Sequence, residues 1–146
     1  MTTQINEILV PVDGSENAVR AARFGMQLAG ALGARVRLFY VFPAASVELV
    51  GMAGMSRADI EHLGHGSGER AFEAVRKGLE GEMIDRVEQQ VALGDPAEEI
   101  INYTEQASPL LVVIGRRGLS RIQTLLLGSV SDKVIRHAKC PVTVIT

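Results

Sequence analysis

Residues 114 to 132 read IGRRGLSRIQTLLLGSVSD, with Gly115 and Gly118 three apart and Gly128 ten residues further on, followed directly by Ser129. No hydrophobic period explains this spacing. Glycine loses more backbone entropy on folding than any other residue, so glycines set at intervals mark tight turns or places where backbone must approach something closely. A turn built on Gly115 and Gly118 can present successive N–H groups as a concave anion nest. A helix opening at Gly128-Ser129 adds unpaired N–H groups and the positive end of its dipole. Together they suit a phosphate chain. A purely local reading also stands: Ser129 and Asp132 form a capping-box-like pair, and glycines close turns in proteins that bind nothing. Arg116 divides in the same way: its guanidinium can pair with phosphate oxygens, or it belongs with Arg117 and Arg121 to a solvated charged loop.

The remaining candidates for chemistry are weaker. No lysine follows a glycine loop in the P-loop manner, and no G-x-S-x-G elbow occurs. His62 and His65 sit three apart without a third ligand, and a mobile surface segment is the simpler reading. His137 fits a favourable interaction with the end of a last helix better than a catalytic triad. Asp13 ends an apolar run, but the further acids and the lysine of a phosphoacceptor site are missing from the other strand ends. Cys140 is read as a small buried hydrophobe.

The elements that must position these residues alternate along the chain. EILVPVD (7–13) is a buried strand that stops at Asp13-Gly14-Ser15. Ser15 caps a helix that ends at Gly33. RVRLFYVF (35–42) alternates, with Val36, Leu38, Tyr40 and Phe42 on one face, and reads as a strand less enclosed than the first. The segment 43–68 is rich in breakers and its structure is left open. Residues 69–82 have helical spacing, and RVEQQVALG is a polar, edge-type strand. Asp95, Pro96 and Glu98 are N-cap, N1 and N3 of a helix to about Ala107. LLVVIG (110–115) is apolar on both alternations, as a central parallel strand should be. SVSDKVIRHA is a last helix and PVTVIT a last strand. This order predicts one α/β domain over 1–146: a doubly wound, five-stranded parallel sheet in the order 3-2-1-4-5, Rossmann-like, with helices on both faces. Ligands of such sheets bind beyond the strand ends where the winding reverses, here between strands 1 and 4.

Composition agrees with a soluble domain. The chain has 146 residues, 47% hydrophobic and 22% charged, with a formal net charge of −2. That balance gives no reason to expect a nucleic acid or a membrane surface as partner. One cysteine, no basic leader and no apolar stretch of membrane length point to the cytoplasm.

The glycine pattern resembles that of the universal stress proteins of the nucleotide-binding type. Gly115, Gly118, Gly128 and Ser129 match the family's Gly, two residues, Gly, nine residues, Gly, Ser/Thr in full. LVPVDGS, GDPAEEI and CPVTVI are similar to its first strand, third-helix entry and last strand. Pro109 departs from it, standing where an acidic residue commonly precedes strand 4. The resemblance implies an adenine nucleotide alpha hydrolase-like fold and ATP with Mg2+ as ligand. It places Asp13 at the adenosine, with Pro11 and Val12 as wall and backbone groups of Val41 at the adenine. Gly115, Arg116 and Gly118 would line the phosphates from one side, and Gly128, Ser129 and Val130 from the other. It further implies a homodimer through the C-terminal strand 141–146 and a regulatory role in stress response, with a protein partner that the sequence does not identify. A weak ATPase or nucleotidyl-processing enzyme on the same scaffold is the alternative, but no positioned water-activating group is evident.

Overall fold

The computed structural model describes residues 4–79, 87–107, 110–118 and 127–146. Its elements are β1 (Glu7–Pro11), α1 (Glu16–Leu32), β2 (Arg35–Pro43), α2 (Ala44–Met52), α3 (Arg57–Gly78), β3 (Val87–Gly94), α4 (Pro96–Gln106), β4 (Leu110–Gly115), α5 (Ser129–His137) and β5 (Val142–Ile145). All four strand pairings are parallel, and the order is β3-β2-β1-β4-β5, as the alternation predicts. The winding reverses at β1, whose neighbours are β2 and β4.

Alternate residues of the central strands feed two separate cores. Ile8, Val10, Val36, Leu38 and Val113 pack with Ala21 and Ala22 of α1 and Phe72 and Val75 of α3. Leu9, Phe39, Val112 and Ile114 pack with Ile100 of α4 and Val134 of α5 on the other face. Each side chain of this size removed from water stabilises by about 1.5–3 kcal/mol, so β1 and β4, apolar on both alternations, anchor both layers. β2 is more enclosed than its alternation predicts. Phe39 and Val41 on its second face are 2% and 7% exposed, because α4 covers them.

Local signals set the helix ends. The Ser15 hydroxyl accepts the Ala18 N–H at 3.2 Å, and Gly33 closes α1 in the left-handed region at φ 68°. Asp95 accepts the Glu98 N–H at 3.0 Å, with Pro96 as first helical residue.

The segment 43–68 holds α2 and the first half of α3. The helix read at 69–82 begins at Arg57 instead and ends at Gly78. Its glycines are packing positions rather than breaks. A β-carbon at Gly64 would lie 2.9 Å from Leu93 Cδ2, and one at Gly68 would lie 2.6 Å from Val91 Cγ2. They stand one turn apart on the face that meets β2 and β3, where contact with the sheet offsets the roughly 1 kcal/mol that a helical glycine costs. His62 and His65 lie exposed on this helix, and among the described residues no group of three or more His, Cys, Asp or Glu is placed to hold a metal. Cys140 is half-buried against the α4/α5 core. No described helix is long and apolar enough to cross a membrane.

Candidate functional site

β1 and β4 end side by side, and the chain turns away from each in a different manner. Beyond β1 the Val12 N–H still donates to the Phe39 carbonyl at 2.9 Å. Asp13 follows, and its Oδ1 accepts the Ser15 N–H at 2.9 Å. This fixes the carboxylate over the turn. Gly14 between them sits at φ 90°, a conformation that side-chain-bearing residues rarely adopt. Beyond β4 the Arg116 N–H donates to the Ile145 carbonyl at 2.7 Å, and the Arg116 carbonyl accepts the Gly128 N–H at 2.8 Å. The turn at Gly115–Gly118 and the start of α5 are thereby stitched together.

The motif glycines serve close approach, since none of the three has a positive φ. A β-carbon at Gly115 would lie 3.0 Å from the backbone of Asn17 in α1. At Gly118 it would collide with Oδ2 of Asp13. At Gly128 it would stand 3.4 Å from the Arg116 carbonyl and the Arg117 Cα. β4, the β1–α1 turn and the α5 entry therefore meet with little more than backbone between them.

Helix α5 begins without a side-chain cap. Gly128 is its N-cap residue, and the Ser129–Asp132 capping box that the sequence also allowed is not formed. The first intrahelical bond runs from the Asp132 N–H to the Gly128 carbonyl at 3.0 Å, leaving the N–H groups of Ser129, Val130 and Ser131 without helical acceptors. The Ser131 hydroxyl donates to the Gly115 carbonyl at 2.7 Å, which holds this end of α5 against β4.

These parts enclose a pocket of about 280 Å³ at the point where the winding reverses. That is close to the lower end of the ~300–1,000 Å³ of small-molecule sites. Pro11, Val12, Asp13 and Val41 line one part, and Gly115, Gly118, Gly128, Ser129 and Val130 another. Arg116 is not among the lining residues. Its neighbour Arg117 is, with a buried Nε that has no hydrogen-bond partner among the described residues. Residues 119–126, Arg121 among them, lie outside the described residues, as does Pro109.

Sequence reading missed the far wall, made by Phe39, Tyr40 and Pro43 of β2 and by Pro96 and Ile100 of α4. The clue was available, since Pro96 must start α4 at the same edge of the sheet. Burial, opposed by a hydrogen bond to Ser67 of α3, raises the Tyr40 pKa. The pocket thus has an apolar part suited to a flat ring and a part rich in N–H donors suited to an anion, with Asp13 and Arg117 as its charged side chains among the described residues.

At the opposite end of the sheet lies a second polar cluster that the sequence reading did not identify. Glu7, only 7% exposed, accepts from Arg35 at 3.5 Å, from Arg37 at 3.4 Å and from the Tyr103 hydroxyl. Arg37 also pairs with Glu88 and lies 5.8 Å from the Tyr103 ring centroid. Burial, together with the hydrogen bond and charge of Glu7, pushes the Tyr103 pKa up to about 12.

Comparison with known proteins adds an independent line. The model of the universal stress protein family matches residues 4–146. A universal stress protein of Methanocaldococcus jannaschii is 31% identical over 95% of this chain and 81% of its own length. The structure of universal stress protein UspA from Lactobacillus plantarum superposes with a TM-score of 0.78, covering 99% of this chain and 100% of that one at 24% identity. The universal stress protein from Archaeoglobus fulgidus in complex with dAMP superposes with a TM-score of 0.60, covering 99% of this chain and 100% of that one at 21% identity.

Proposed function

The chain belongs to the universal stress protein family, and on that premise we propose that it is an ATP-binding regulatory module of the cytoplasm. The observation that carries this reading is the pocket at the switch point, where an uncapped helix N-terminus and a glycine turn face an apolar wall across a single cavity. The donors of Ser129, Val130 and Ser131 suit the phosphates, and the wall of Val41, Pro96 and Ile100 suits the purine. The relative in complex with dAMP supports an adenine nucleotide as the ligand class.

Binding rather than turnover is the activity proposed. Phosphoryl transfer needs a group that positions or activates the attacking water. Among the described residues Asp13 is the only carboxylate lining the pocket, and one of its oxygens already accepts the Ser15 N–H. Mg2+ would arrive with the nucleotide, held by its phosphates. The protein is further proposed to act as a homodimer joined along residues 141–146, whose nucleotide occupancy adjusts contacts with a regulatory protein partner.

Denaturing the purified protein and identifying the released small molecule tests the reading. An adenine nucleotide in the supernatant is the expected result. A protein that releases none and gives neither calorimetric heat nor a thermal shift with MgATP does not have this function.

A further inference from the structure

Two adjacent arginines occupy the gap between Gly115 and Gly118, and the fold treats them differently. Arg116 closes the β4–β5 pairing: its N–H donates to Ile145 and its carbonyl accepts from Gly128. Arg117 is the first residue beyond that pairing, and it lines the pocket together with Gly118, Gly128 and Ser129.

We infer that Arg117, and not Arg116, is the side chain through which this pocket recognises the phosphates of its nucleotide. The inference rests on the nucleotide reading above and names the residue that sets its selectivity for charged over uncharged adenine compounds. The buried Nε of Arg117 has no hydrogen-bond partner among the described residues. A buried donor left in this condition is costly, so the guanidinium gains by turning toward an acceptor in the adjoining cavity. The Arg116 Nε is buried and unpartnered too, but Arg116 is not a lining residue, so a pocket ligand does not reach it in the same way. Charge gives a second reason. Among the described residues the other charged side chain on the pocket wall is Asp13, which repels phosphate, while the N-terminus of α5 contributes only about half an elementary positive charge. Arg117 brings a full positive charge to the wall that carries those helix donors, and guanidinium–phosphate hydrogen bonds are among the strong ones.

The test is titration calorimetry of the full chain with MgATP and, separately, with adenosine, for the wild type and for Arg117→Gln, Arg117→Lys and Arg116→Gln. Melting curves without ligand check folding. Loss of one charge-assisted contact predicts that R117Q weakens MgATP by about tenfold or more while adenosine changes by less than about twofold. R117K should retain part of the difference, and R116Q should cost MgATP less than R117Q does. The salt dependence of MgATP affinity should become shallower in R117Q. R117Q binding MgATP as the wild type does, losing both ligands equally, or losing less than R116Q overturns the inference alone. A wild type that binds neither ligand overturns the nucleotide reading and this inference with it.

Discussion

A carboxylate oxygen of Asp13, at the end of β1, lies in the space that a β-carbon on Gly118 would need. The first strand's acid and the second motif glycine are thus one unit, although 105 residues separate them in the chain (118 − 13).

Gly118→Ala should therefore act on the site and spare the fold. The atom displaced is the far end of a flexible side chain, and Gly118 itself is exposed, so unfolding free energy should change by less than about 1 kcal/mol. The displaced carboxylate gives up its place over the β1–α1 turn, and affinity for adenine nucleotides should fall about tenfold by calorimetry. Unchanged affinity would mean that Asp13 has no part in holding the ligand.

Gly115→Ala should do the reverse. The new methyl meets main-chain atoms of Asn17 at 3.0 Å, and main chain within a packed helix does not swing aside. Overpacking at a buried position costs about 1–3 kcal/mol, visible as a lower urea midpoint at unchanged slope. A variant as stable as the wild type would show that α1 retreats from β4 without cost.

These two glycines also show what was legible in the sequence. The spacing of Gly115, Gly118, Gly128 and Ser129 is a local pattern, and so are the caps at Ser15, Gly33 and Asp95; such signals survive in one dimension. The winding of the sheet follows from strand-helix alternation, which is equally local. Gly64 and Gly68 read as breakers because the side chains they accommodate, Leu93 and Val91, lie more than 20 residues downstream. The resemblance put Arg116 at the phosphates and not Arg117, and the sequence alone does not show which of the two lines the pocket, because that depends on where the pairing with β5 stops. The Glu7–Arg37–Tyr103 network joins three elements, and an acid inside the apolar run EILVP was its one sequence trace.

That network predicts an alkaline limit to stability. Burial first, and then the hydrogen bond and charge of Glu7, raise the Tyr103 pKa from 10.0 to about 12 in the folded chain. A pKa raised on folding stabilises below the unfolded value and ceases to do so above the folded one, so this contribution is intact at neutral pH and is lost between about pH 10 and 12. Tyr103→Phe should be less stable than the wild type at neutral pH and should lose less on going to pH 12. Urea midpoints across that range measure the difference, and absorbance titration of the remaining tyrosine, Tyr40, separates the two phenols. Parallel alkaline loss in both proteins would remove Tyr103 as its source.

The last prediction concerns the free edge of the sheet. β5 lies outermost beside β4. The Val112 N–H takes its acceptor from Pro141 and the Arg116 N–H from Ile145. Odd-numbered residues of this strand therefore turn their backbone groups inward to β4, and Val142 and Val144 turn theirs outward, because backbone direction alternates along a strand. Pro141 sits on the inward side, so its missing N–H does not protect the edge. Val142, Thr143, Val144 and Ile145 carry no charge, and nothing in their sequence discourages a second copy from pairing antiparallel about a two-fold axis. Val144→Pro removes an outward donor without breaking a bond to β4, and should shift a homodimer toward monomer while monomer stability falls little. Light scattering at tens of micromolar protein, with urea unfolding of the same samples, reads both quantities. A wild type that scatters as a monomer, or a V144P variant that dimerises as tightly as the wild type, would exclude this edge as the interface.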